Sequence, residues 1–98
     1  MSKKIKTHSK VAQELAALDK FLSHPNKWCK GTLTNGNGRY CLLGALDAIG
    51  TDSATTLALI NVKPIEYDSI QAFNDSPKTS FKDIKALIKK ARKAAVCK

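Results

Sequence analysis

Residues 27–50 read KWCKGTLTNGNGRYCLLGALDAIG and hold the chain's one tryptophan, all five of its glycines, two of its three cysteines and its Arg39. Cysteine chemistry needs a thiolate, and a thiolate needs a helix N-terminus, a nearby cation or a paired histidine. Cys41 opens an apolar run and follows Arg39 by two positions, so it meets the first two conditions. A positioned base is missing: His8 and His24 both lie outside the stretch. Buried cysteine is more commonly inert packing, so no catalytic residue is assigned.

Arg39 is the only charge between Lys30 and Asp47. One reading pairs it with the carboxylate of Asp75, with Asn74 adding side-chain bonds, because a partly buried guanidinium prefers a bidentate carboxylate. The other makes Trp28, Arg39, Cys41, Asn74 and Asp75 a polar pocket for a ligand, with Trp28 favoured as a core anchor over a stacking platform. Asn35–Gly38 reads as a hairpin turn, unlike a Walker or Rossmann phosphate loop. Cys29, Cys41, Cys97 and the two histidines fit no zinc spacing, so neither metal nor cofactor is expected.

The remaining chemistry is charge. The net charge is +9, and it is concentrated at the two ends: residues 1–30 carry seven lysines against Glu14 and Asp19, and residues 79–98 carry six lysines and Arg92 against Asp83. Such a field favours anionic partners, although charge alone also serves solubility. Lys82, Lys85, Lys89 and Lys93 recur at steps of three and four, so one helix face presents them together as phosphate contacts. No helix-turn-helix or single-strand-binding signature accompanies them.

These side chains need helices to hold them. Apolar residues make up 43% of the 98-residue chain, enough for one self-standing domain. Val11, Leu15, Leu18, Phe21 and Leu22 have helical spacing, with Thr7 or Ser9 as the cap and Pro25 ending the run. Gly31–Leu42 reads as a β-hairpin around Asn35–Gly38, in which Thr34 faces Arg39, Leu33 packs on Tyr40, and Cys41 opposes Thr32. Cys41–Ile49 reads as a buried helix capped by Gly50, with Gly44 marking a close approach of another backbone. Helices follow over Ala54–Ile60, capped from Thr51–Ser53, and over Pro64–Phe73, with Ile65, Ile70 and Phe73 inward. Ser80 and Asp83 form a capping box for the last helix, which runs to about Val96.

The segments Trp28 to Gly31, Gly38–Arg39–Tyr40–Cys41–Leu42–Leu43–Gly44–Ala45–Leu46, Asn74–Asp75–Ser76–Pro77, and Ser80 with Asp83–Ile84 occur in an order that resembles a family of small, functionally uncharacterised bacterial and phage-encoded proteins. The chain departs from that pattern in its lysine content and in having Phe73 before Asn-Asp. The resemblance implies a phage, prophage or other mobile-element setting, and no activity.

The expected architecture is mainly α: a basic flexible tail over 1–6, then one domain over 7–98 of about five short helices, with a hairpin between the first two. The expected function is that of a small, basic, non-catalytic accessory protein that contacts nucleic acid through Lys82, Lys85, Lys89 and Lys93, together with the N-terminal lysines. Binding or inhibition of a host defence or transcription protein is the alternative, and an enzyme using the Arg39–Cys41–Asp75 region is the third reading. With no run of about 18 apolar residues, no signal peptide and an odd cysteine count, the expected compartment is the cytoplasm, with no membrane partner.

Overall fold

The computed structural model describes residues 10–96. The basic tail, the Thr7 and Ser9 caps and Cys97 lie outside the described residues. Five α-helices follow one another: α1 (Lys10–Phe21), α2 (Leu42–Ile49), α3 (Ser53–Val62), α4 (Ile70–Asp75) and α5 (Phe81–Val96), with a 3-10 turn at Pro25–Lys27. The fold is mainly helical, as the apolar periodicity implies.

Helix α1 places Leu15 and Leu18 on one side, and Leu22 continues that row beyond its last turn; all three are fully buried. Pro25 holds His24 in an extended conformation (φ −146°, ψ 146°), which stops the helix. Helix α5 buries Ile84 and Ile88 completely and packs on both α1 and α3, while α2 packs on α1 and α4. Each fully buried leucine or isoleucine contributes about 1.5–3 kcal/mol by leaving water.

Helix ends follow local chemistry. Gly50 closes α2 in the left-handed region (φ 72°), and its N–H donates to the carbonyls of Leu46 and Asp47. The capping box of α5 is reciprocal: the Ser80 N–H donates to Asp83 Oδ2 at 2.9 Å, and the Asp83 N–H donates to Ser80 Oγ at 3.3 Å. Helix α3 is capped from a distance. Asp52 occupies the cap position but makes no side-chain cap bond; Glu14 of α1 instead accepts from the Asp52 N–H at 2.9 Å and from the buried Thr55 hydroxyl at 2.6 Å.

Two sequence expectations are corrected. The hairpin does not form: between α1 and α2 only isolated bridges join Thr34 to Tyr40 and, in parallel, Trp28 to Tyr40. The loop is Asn35–Arg39, one residue longer than expected. Its own side chains satisfy its backbone: Asn35 Oδ1 accepts from the N–H groups of Asn37 (2.8 Å) and Arg39 (3.1 Å), and Thr34 Oγ1 donates to the Arg39 carbonyl (2.9 Å). The one-residue shift turns Leu33 outward, to 53% exposure. Tyr40 packs on Phe21 instead, with ring centroids 5.1 Å apart.

The second correction concerns Pro64–Phe73. Only Ile70–Asp75 is helical, because Ser69 adopts extended geometry (φ −153°, ψ 167°) and caps α4 by accepting from the Ala72 N–H at 3.0 Å. The preceding residues form a turn that leaves Ile65 outward, at 95% exposure. Ile70 and Phe73 are buried as expected.

Candidate functional site

The backbone around Trp28 and Tyr40 begins a parallel ladder. The Tyr40 N–H donates to the Lys27 carbonyl at 2.8 Å, and the Cys29 N–H donates to the Tyr40 carbonyl at 3.2 Å. The next rung of such a ladder joins the Leu42 N–H to the Cys29 carbonyl. Here the carboxamide of Asn74, from α4, occupies that rung. Its Oδ1 accepts from the Leu42 N–H at 3.1 Å, and its Nδ2 donates to the Cys29 carbonyl at 3.1 Å. Oδ1 also accepts from the Trp28 indole N–H at 2.7 Å, and Nδ2 also donates to Asp75 Oδ1 at 2.9 Å. An amide has two donors and two acceptor positions, so Asn74, which is fully buried, is saturated.

Asp75 continues the cluster. Its carboxylate accepts from the Gly31 N–H and from the Gln71 amide, each at 2.9 Å. Burial pushes its pKa up, but the Gly31, Asn74 and Gln71 bonds and the nearby Lys30 charge outweigh that and hold it below the usual carboxylate value. Lys30 lies 5.5 Å from the Trp28 ring centre and donates to the Ser76 carbonyl at 2.6 Å. The positive φ of Gly31 (80°) turns its N–H into this arrangement.

Cys41 is fully buried and caps α2: its sulfur accepts from the Gly44 N–H at 3.3 Å, and its thiol points to Gln71 Oε1 at 3.6 Å. Cys29 is half-buried, and desolvation, followed by the charge of Cys41, raises its thiol pKa and favours the unreactive protonated form. Both are free thiols. His24 is exposed in the loop after α1. Among the described residues no group of three or more His, Cys, Asp or Glu side chains is arranged to hold a metal ion.

Trp28, Cys41, Asn74 and Asp75 therefore converge, and Arg39 stands apart. Arg39 is exposed; its guanidinium donates to the Trp28 carbonyl at 3.3 Å, while Asp75 is occupied by backbone and amide donors. The expected Arg39–Asp75 ion pair is replaced by these bonds. Two surface cavities among the described residues, of about 330 and 390 Å³, are lined by none of the five residues. What the cluster does chemically is join Trp28–Gly31, the start of α2, and α4. Sequence reasoning missed Gln71 and Gly31; the four-residue spacing of Gln71 and Asp75 on one helix is the signal for the first.

Gly44 shows why α2 lies where it does. A Cβ there overlaps the backbone carbonyl of Leu33, which itself accepts from the Cys41 N–H at 3.1 Å. The close backbone approach expected from Gly44 is present.

The lysines of α5 divide by face. Lys85 turns towards α1: its ammonium meets the Asp19 carboxylate at 2.7 Å and the carbonyls of Asp19 and Leu22 at 2.6 and 2.9 Å. It thereby satisfies carbonyls at the C-terminus of α1, where a cation is favoured. Arg92, seven residues on, joins the same carboxylate at 3.1 Å. Lys82, Lys89 and Lys93 point away from the buried Ile84–Ile88 face, are exposed, and make no ion pair among the described residues. Lys10 is paired with Asp52 at 3.1 Å, which raises its pKa through the hydrogen bond and the charge of that carboxylate. No helix among the described residues is long and apolar enough to cross a membrane.

No curated protein and no solved structure matches the chain. A family model does match, over residues 6–94 and so over nearly the whole length. The chain belongs to that family, a family of unknown function, DUF6197.

Proposed function

We propose that the protein binds the phosphate backbone of nucleic acid through the outer face of α5, without catalysing a reaction. One observation supports this best: Lys82, Lys89 and Lys93 form an exposed row whose charge no described acidic residue neutralises, in a chain of net charge +9. Lys85 is left out of the contact surface because Asp19 and the end of α1 occupy it. Three lysines position a duplex or single strand by charge and read no base sequence. The setting we favour is a cytoplasmic accessory protein of a phage or mobile element, on the strength of the motif resemblance and the odd number of cysteines.

The test is a titration of labelled single-stranded RNA, single-stranded DNA and duplex DNA at two salt concentrations. Binding that weakens steeply with salt, and is lost on joint reversal of Lys82, Lys89 and Lys93 to Glu with no change in thermal midpoint, supports the reading. Absence of binding at low salt removes it and leaves the basic face a solubility feature.

A further inference from the structure

The loop between Thr34 and Tyr40 holds Asn-Gly twice, as Asn35–Gly36 and Asn37–Gly38. Asn-Gly is the pair most open to one reaction of a chain with itself: the backbone nitrogen of the following residue attacks the asparagine carboxamide carbon, and glycine puts no side chain in its way. The other asparagines, Asn26, Asn61 and Asn74, precede Lys27, Val62 and Asp75 and lie within helical turns. Both Asn-Gly pairs are exposed, and both glycines have positive φ, 80° and 91°, with open space where a Cβ would sit. Sequence and exposure therefore do not separate the two pairs.

Hydrogen bonding separates them. Asn35 Oδ1 accepts from the N–H groups of Asn37 and Arg39, and the nucleophile itself, the Gly36 N–H, donates to Thr34 Oγ1 at 3.2 Å. At Asn37 the corresponding groups are open. Among the described residues its carboxamide has no partner, its carbonyl accepts from none, and the Gly38 N–H donates to none. The Asn37–Gly38 peptide unit thus turns without breaking a bond. We propose that Asn37 is a site of spontaneous modification, converting to aspartate and isoaspartate with water as co-reactant, while Asn35 is protected by the bonds that order the loop. The Gly38 nitrogen gives up its proton and bonds to Asn37 Cγ; the Cγ–Nδ2 bond breaks, and ammonia leaves with that proton. Water then opens the cyclic imide. Attack at Cγ restores the normal chain as aspartate, and attack at the main-chain carbonyl carbon leaves the chain running through the side chain as isoaspartate. No group is oxidised or reduced. Each event places a carboxylate two positions from the exposed Arg39. The reaction does not depend on nucleic-acid binding.

Peptide mapping by mass spectrometry tests this on the folded protein, held for days at physiological temperature in mildly alkaline buffer. Cleavage after Lys30 and Arg39 releases Gly31–Arg39, which carries both asparagines, and fragmentation assigns the new acid to one of them. The expected product is acid at position 37, isoaspartate included. It forms at least about tenfold faster than acid at position 35, because three hydrogen bonds must open before Asn35 reacts. In denaturant the two rates converge, since those bonds are gone. Thr34→Val, at an exposed loop position, removes the acceptor of the Gly36 N–H; it speeds conversion of Asn35 severalfold and leaves that of Asn37 unchanged. Equal rates in the folded protein, or faster loss of Asn35, overturn the proposal. So does an Asn37 that persists in the folded protein while converting in denaturant, because the fold then holds it out of reach. A ratio of rates unmoved by Thr34→Val overturns the protection assigned to Asn35.

Discussion

Two regions of this small domain are rich in polar chemistry, and they use it in opposite ways. Around Asn74 a carboxamide, a carboxylate, an indole and two thiols gather in 46 residues' worth of sequence separation, and their bonds are made to one another or to backbone. Along the outer face of α5 the lysines are simpler in chemistry, but their charge is unspent within the described chain. The difference teaches that residue type alone does not mark a binding site. A cluster whose donors and acceptors are already saturated is part of the fold, and charge without an internal partner is what remains for a ligand.

The largest expected effect tests the first half of that contrast. Asn74→Ala leaves the Leu42 N–H, the Trp28 indole N–H and the Cys29 carbonyl without their partner, and should cost about 3–5 kcal/mol in denaturant unfolding. A loss below about 1 kcal/mol would mean that the cluster does not hold the three segments together. Gly44→Ala comes next, because its Cβ overlaps the Leu33 carbonyl; about 2–3 kcal/mol is expected from the forced backbone shift.

Lys85→Met separates the two kinds of lysine. It should cost about 1 kcal/mol by freeing the end of α1, and should leave nucleic-acid affinity unchanged. Equal weakening of binding by Lys85→Met and Lys89→Met would erase the distinction between inner and outer faces.

The smallest effect is one of pH. Asp75 has a depressed pKa in the folded protein, so its contribution is complete above the ordinary carboxylate range and disappears as pH falls through the depressed value. Unfolding midpoints measured from neutral to acid pH should show Asp75→Asn losing part of the wild type's acid sensitivity. An unchanged acid profile would detach Asp75 from the cluster's stability.

Much of the fold is readable locally. The leucine spacing of α1, the Ser80–Asp83 box and Gly50 each specify structure through neighbours a few residues away, and each appears as the local rule requires. Gly44 announces a close approach but not its partner, Leu33. The Asn-Gly pair suggests a tight hairpin, yet Asn35 and Thr34 use their side chains to satisfy the loop, and the register moves by one. Trp28 and Asn74 are both conspicuous in the sequence, but their bond spans 46 positions, and nothing local shows that Asn74 replaces a backbone rung. Charge alone suggests an Arg39–Asp75 pair; amide and backbone donors reach Asp75 instead. The split of the α5 lysines was within reach, since Lys85 and Arg92 are seven apart and flank the apolar stripe. Glu14 as a cap for α3 was not, because its partners come 38 and 41 residues later.

The most direct measurement is the salt dependence of duplex DNA binding by the wild type and by the Lys82→Glu, Lys89→Glu, Lys93→Glu triple variant. Three phosphate contacts give a log–log slope of about −3 for the wild type, and the triple variant should show no measurable binding while unfolding at the wild-type midpoint. A triple variant that binds with the wild-type slope, or a wild type that does not bind at the lowest salt, would contradict the assignment of function to this face.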